Sequence, residues 1–143
     1  MTERVPMAGE FSLRAHTADV AVEATGDTLG EAFAAAADGL TAAHCEFVPE
    51  EGERFAFGVG ADTREAALLE YLDELIYRRD VRGVLPADHE ADVHWNGSWV
   101  VEASARGVPL AAVEAREIKA VTYSEMEIAE TDGGWRIYVV FDV

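Results

Sequence analysis

The sequence predicts an α+β fold in which two helices pack on a largely antiparallel or mixed β-sheet, a two-layer sandwich built as one domain over residues 1–143. Three observations carry this expectation. Two segments repeat apolar residues at three- and four-residue steps behind Thr-based start signals, as amphipathic helices do. The second half of the chain alternates apolar with polar residues, the period of a strand with one buried face. An Asn-Gly pair joins two of those runs. Elements that are apolar on one side bury that side against each other, and 143 residues suffice for one such core.

The elements follow in chain order. Phe11 to Ala15 and Val20 to Ala24 read as short strands around His16-Thr17-Ala18-Asp19, with Val20, Val22 and Ala24 on one face. Thr28-Leu29-Gly30-Glu31 has the form of a capping box, in which the hydroxyl and the carboxylate satisfy amides that the first helical turn leaves unpaired. The helix it starts carries one apolar stripe, Leu29, Phe33, Ala36 and Leu40. A strand around Phe55 to Val59 leads to Asp62-Thr63-Arg64-Glu65, a second cap, and to a helix over 64–79. Leu68, Leu69, Leu72, Leu75 and Ile76 form its buried face, and Arg78 and Arg79 suit the negative end of its dipole. Asn96-Gly97 marks a hairpin. Segments 117–128 and 135–143 pair around Thr131-Asp132-Gly133-Gly134, with Trp135, Ile137, Val139, Phe141 and Val143 on one face.

Composition excludes several function classes. Eleven Lys and Arg against 28 Asp and Glu give a net charge of −17, while half the residues are apolar, so the chain has material for a core and is not disordered by composition. The negative field repels nucleic-acid phosphates, so no direct RNA or DNA binding is expected. No apolar run reaches the roughly 20 residues of a membrane span, and no signal segment opens the chain, so a cytoplasmic location with no membrane partner is expected. Cys45 is the only cysteine, which leaves neither an internal disulfide nor a thiolate metal cluster. Ten of the eleven basic residues are Arg, and with the dense surface acid this points to a salt-adapted or GC-rich source.

No nucleophile elbow, Walker loop, His-Glu-x-x-His or dinucleotide-binding glycine pattern is present, so no catalytic residue is assigned. The residues that remain are polar groups at strand boundaries. His16 and Asp19 lie between the first two strands, where a rigid scaffold holds side chains but where Asp also closes ordinary turns. Asp142 and the terminal carboxylate of Val143 are one residue apart, oxygen anions that suit Ca²⁺ or Mg²⁺ if Asp19 joins them; spacing alone favours a frayed, solvated terminus. Lys119, the only Lys, shares a strand face with Val121 and Tyr123 by alternation. His44, His89 and His94 have no zinc-like spacing, and 50–53 and 88–92 read as solvated loops.

Four segments in order, His16-Thr17-Ala18-Asp19-Val20 with 25–33, 68–77, 118–123 and 139–143, resemble the archease family over nearly the whole chain. Ser124 stands where many members carry His. The resemblance implies an archease-like fold and a non-catalytic protein cofactor of the GTP-dependent RNA-splicing ligase, which promotes guanylylation and repeated turnover of that enzyme. It implies that Asp19, Asp142 and Val143 hold a divalent cation, typically Ca²⁺ with Mg²⁺ or Mn²⁺ as alternatives, and that Lys119, with His16 and Tyr123, belongs to the activity or partner patch. Two other readings stand beside it. One is a general chaperone or interaction module acting on several RNA-processing enzymes, and the other a small metal-dependent hydrolase, for which the motifs supply no evident general base.

Overall fold

The computed structural model describes residues 9–16 and 19–143, residues 14–16 by their backbone alone. The elements are β1 (Glu10–His16), β2 (Asp19–Gly26), α1 (Leu29–His44), β3 (Glu53–Ala61), α2 (Arg64–Arg82), β4 (Val84–Trp95), β5 (Trp99–Pro109), β6 (Ala120–Thr131) and β7 (Gly134–Asp142). Two helices pack on antiparallel strands, and the strands divide into two sheets, one of order β1-β2-β7-β6 and one of order β3-β5-β4. Each helix touches both sheets: α1 lies against β2 and β4, α2 against β6 and β3.

That double contact explains the composition of α1. Thr28 Oγ1 accepts from the Glu31 amide at 3.1 Å, and the Glu31 carboxylate accepts from the Thr28 amide at 3.3 Å, the reciprocal cap the sequence calls for. Leu29, Phe33, Ala36 and Leu40 are buried as expected, yet so are Ala32, Ala34, Ala35, Ala37 and Ala43 around the remaining circumference. Alanine keeps the helix thin enough to sit between β2 and β4. At Gly30 the approach is closest, since a Cβ there would overlap the Ala91 carbonyl oxygen of β4.

The second helix runs one turn past the expected end. It stops at Gly83, which takes the left-handed φ of 70° that ends a helix cheaply only in glycine. Arg79 and Arg82 therefore occupy its last turn, and Arg78 does something else. Its Nε donates to Glu74 Oε2 at 2.9 Å, and its guanidinium lies 4.6 Å from the Phe55 ring centre and 5.2 Å from that of Phe57. The core between the layers stacks Phe33, Tyr71 and Phe57 at centroid spacings of 5.9 and 6.0 Å, with Ile137, Val139 and Phe141 of β7 fully buried behind them.

Two strand irregularities overturn expectations from alternation. Segment 88–92 is part of β4, not a solvated loop; the β4–β5 register shifts between Ala87 and Glu90, with Asp88 at a left-handed φ of 51°. His89 is buried in step with Leu85 and Ala87, while Asp88 and Glu90 stay exposed. In β6 the register shifts between Thr122 and Glu127, with Glu125 at φ 63°. Val121 is buried there but Tyr123 is 53% exposed, and the core position before the strand belongs to Ile118, with Lys119 exposed. Lys119, Val121 and Tyr123 therefore do not share a face. Alternation holds only within an unbroken ladder, and here it starts at Ala120 and breaks after Thr122.

Candidate functional site at one end of the four-stranded sheet

The pairing of sheet β1-β2-β7-β6 puts residues from all four strands in one row. His16 of β1 lies opposite Asp19, Asp19 opposite Asp142, and Asp142 opposite Ala120. Two further residues are fixed to that row by the chain. The Lys119 amide donates to the Asp142 carbonyl oxygen at 2.8 Å, a bond outside the β6–β7 ladder, and Val143 follows Asp142 directly. Residues separated by more than 120 positions in sequence thus meet at one sheet end.

The face follows from the core. Val20 and Val22 of β2, and Val139 and Phe141 of β7, are buried against the helices, so Asp19 and Asp142 belong to the opposite face. Directly opposed residues of an antiparallel pair point to the same side with Cβ atoms about 5 Å apart. Asp142 is exposed and Asp19 and Val143 are half-buried. Lys119, the only Lys, is exposed beside them. Of His16 the backbone lies in the row; its side chain, with Thr17 and Ala18, lies outside the described residues.

All-oxygen donors with negative charge suit a hard divalent cation and offer nothing to a soft one. Among the described residues no three His, Cys, Asp or Glu side chains are placed to share a metal. Two carboxylate side chains and a terminal carboxylate fit Ca²⁺, Mg²⁺ or Mn²⁺ chemically. Tyr123 stands three residues along β6 from the row, exposed by the bulge.

The other titratable side chains singled out by the sequence lie elsewhere. His44 and His89 are buried between α1, α2 and β4, around a tight void that Leu40, Leu75 and Pro86 also line. Thr41 Oγ1 lies 2.7 Å from the Pro86 carbonyl, 3.1 Å from the Ala37 carbonyl and 2.8 Å from His89 Nε2, and His89 Nδ1 is buried without a partner. Burial lowers the His89 pKa to about 3, and burial together with Arg79 and Arg116 lowers that of His44 to about 4. Both imidazoles are neutral packing groups. His94 pairs with Asp92 at 2.8 Å on the surface, and the buried Cys45 thiol donates to the Phe47 carbonyl.

Sequence reasoning did not find the Lys119–Asp142 backbone bond or the bulge that turns Tyr123 outward. Neither leaves a signal in residue type, since one is a register and the other a break in it.

Residues 11–143 match the model of the archease protein family (MTH1598/TM1083). The chain belongs to the archease family. Protein archease of Pyrococcus furiosus is 30% identical over 135 residues, covering 90% of this chain and 94% of that one, and protein archease of Methanosarcina mazei is 33% identical over 135 residues, covering 90% and 92%. Among solved structures, protein 1598 of Methanobacterium thermoautotrophicum aligns with a TM-score of 0.77 at 26% identity, over 96% of this chain and 99% of that one. The crystal structure of a Thermotoga maritima archease, described as a possible chaperone, aligns with a TM-score of 0.65 at 21% identity over 100% and 99%, a likeness of fold. Among the described residues no helix of this archease is long and apolar enough to cross a membrane.

Proposed function

We infer that this archease is a non-catalytic accessory protein of the GTP-dependent RNA-splicing ligase, promoting its guanylylation and its multiple turnover. The observation that carries the reading is the row itself. Asp19, Asp142, Lys119 and Val143, the residues that family resemblance assigns to the activity, come from both ends of the chain and are held at one sheet end by backbone pairing.

In this reading Asp19, Asp142 and the Val143 carboxylate hold a divalent cation, typically Ca²⁺. The ion supplies positive charge that offsets three neighbouring carboxylates and fixes the end of β7, because binding to a site that exists only in the folded chain orders that site. Lys119 adds a mobile cation, and His16 and Tyr123 complete the patch that meets the partner. The net charge of −17 favours docking on a basic ligase surface and disfavours competition for the RNA.

Multiple-turnover RNA ligation by the source organism's splicing ligase, with GTP and divalent metal, tests this. Wild-type protein stimulates turnover, and folded Asp142→Ala protein does not. Full stimulation by Asp142→Ala would remove the site from the mechanism. Protection of unrelated proteins without dependence on Asp142 would favour a general chaperone. Turnover of a substrate with no ligase present would favour a metal-dependent hydrolase.

A further inference from the structure

The two sheets end in edge strands, β1 and β6 in one and β3 and β4 in the other. An edge offers unpaired amides and carbonyls to any other strand, and proteins guard such edges with charge, Pro or a bulge. Three of these edges are guarded. β6 has its register shift with Glu125 and Glu127, β4 has Pro86, a register shift and the acids Asp88, Glu90 and Asp92, and β1 carries Glu10 and Arg14. β3 has none of these devices beyond its first two residues. It pairs with β5 in unbroken register from Glu53 opposite Gly107 to Ala61 opposite Trp99, and 55–61 contains no charge and no Pro. Helix α2 covers its inner face, and among the described residues its backbone makes no hydrogen bond outside the β5 ladder. Its second edge is open along all nine residues.

The outer face of sheet β3-β5-β4 selects the strand that fits this edge. Val101 and Ala103 of β5 are buried in the core, so Glu102 and Ser104 point away from the helices. The register sets Gly58 of β3 and Asp92 of β4 on either side of Glu102, and Ala56 and Glu90 on either side of Ser104; these six line one open trough. Glu90 and Glu102 have no ion-pair partner among the described residues, and Asp92 pairs with His94. A strand added beside β3 lies about 10 Å from β5, two strand spacings, so only long side chains reach Glu102. Ala56 and Gly58 put no bulk in their way, and the charge that Glu102 calls for is positive. A second copy of this chain brings a net charge of −17 to the same edge and is repelled.

We propose that β3 is a strand-addition site for an extended basic segment of a partner protein, whose backbone pairs with the open edge while a Lys or Arg side chain crosses Gly58 to Glu102. Main-chain pairing supplies the affinity at such a site and the alternate side chains supply the choice of sequence. Glu90 and Asp92 deepen the negative field behind Glu102. The site lies on the other sheet from Asp19 and Asp142 and stands apart from the function proposed for them.

The probe is a blocked peptide of about seven residues, one strand in length, alternating lysine with valine, beside a counterpart with glutamate for lysine. The lysine peptide binds the whole protein and slows hydrogen exchange at alternate amides within residues 53–61, those that point away from β5; the glutamate peptide does neither. Gly58→Lys fills the trough, and its Cβ meets nothing closer than the Val101 carbonyl oxygen at 3.5 Å. That variant keeps the wild-type melting temperature and raises the dissociation constant of the lysine peptide about tenfold or more. Glu102→Gln raises it about two- to fivefold, the scale of one exposed ion pair. Binding that protects no β3 amides is adsorption by charge alone and overturns the proposal, as do undiminished binding by folded Gly58→Lys and the absence of binding by the wild-type protein. Protection of 53–61 that grows with protein concentration in the absence of peptide makes a second copy the occupant and overturns the basic segment.

Discussion

Asp19 and Asp142 face each other directly across the β2–β7 ladder, the first residue of one strand against the last of the other. Residue 19 and residue 142 are thereby brought side by side by the register alone.

Divalent cation binding at this pair stabilises the folded protein. At about 100 times its dissociation constant, Ca²⁺ adds about 2.7 kcal/mol to the unfolding free energy, which calorimetry reads as a melting temperature several degrees higher. Asp19→Asn and Asp142→Asn proteins show no such rise. A calcium-dependent shift in the double variant equal to that of wild type would place the ion elsewhere.

Acid destabilises the protein through His44 and His89. Their folded pKa values of about 4 and about 3 lie below the ordinary 6.5, so the unfolded chain takes up protons that the folded chain refuses. The stability they contribute is complete above about pH 6.5 and falls as pH drops toward those folded values, by at most about 1.4 kcal/mol per pH unit for each His. Urea denaturation between about pH 7 and pH 5 measures the slope. His44→Gln removes one proton's share of it; an unchanged slope in that variant would show that His44 does not carry the effect.

Gly30→Ala destabilises despite adding a better helix former. Helix propensity favours Ala by about 1 kcal/mol, but the added Cβ meets the backbone of Ala91, and overpacking against backbone costs about 1–3 kcal/mol. The structure therefore expects a net loss in chemical denaturation, where propensity alone expects a gain.

Salt raises stability. With 28 acids against 11 basic groups, self-repulsion is screened less as the Debye length grows from about 8 Å at physiological ionic strength to about 30 Å at 0.01 M. Melting temperature falls along that dilution, and a flat profile would show that the surface charge is stability-neutral.

The elements were legible in the sequence because each is encoded locally. Thr28 and Glu31 form their cap from residues three apart, Thr63 starts α2 with its hydroxyl on the Ala66 amide, and Trp135 to Phe141 display their faces by alternation. Asp19 and Asp142 stood out as polar residues at strand ends, and Lys119 as the single Lys in an apolar strand segment. The division of the strands into two sheets was not legible, because alanines around α1 read as helix propensity and only its contacts with β2 and β4 show them as packing. The burial of His89 was hidden because the charged run 88–92 reads as a loop and not as a strand. The exposure of Tyr123 depends on a register shift in a ladder, and register is set by pairing with a partner strand. Residue types alone thus determined which groups are available for function; the pairing of β2, β6 and β7 decided which of them stand together, since only backbone hydrogen bonding between distant segments places residue 19 beside residue 142.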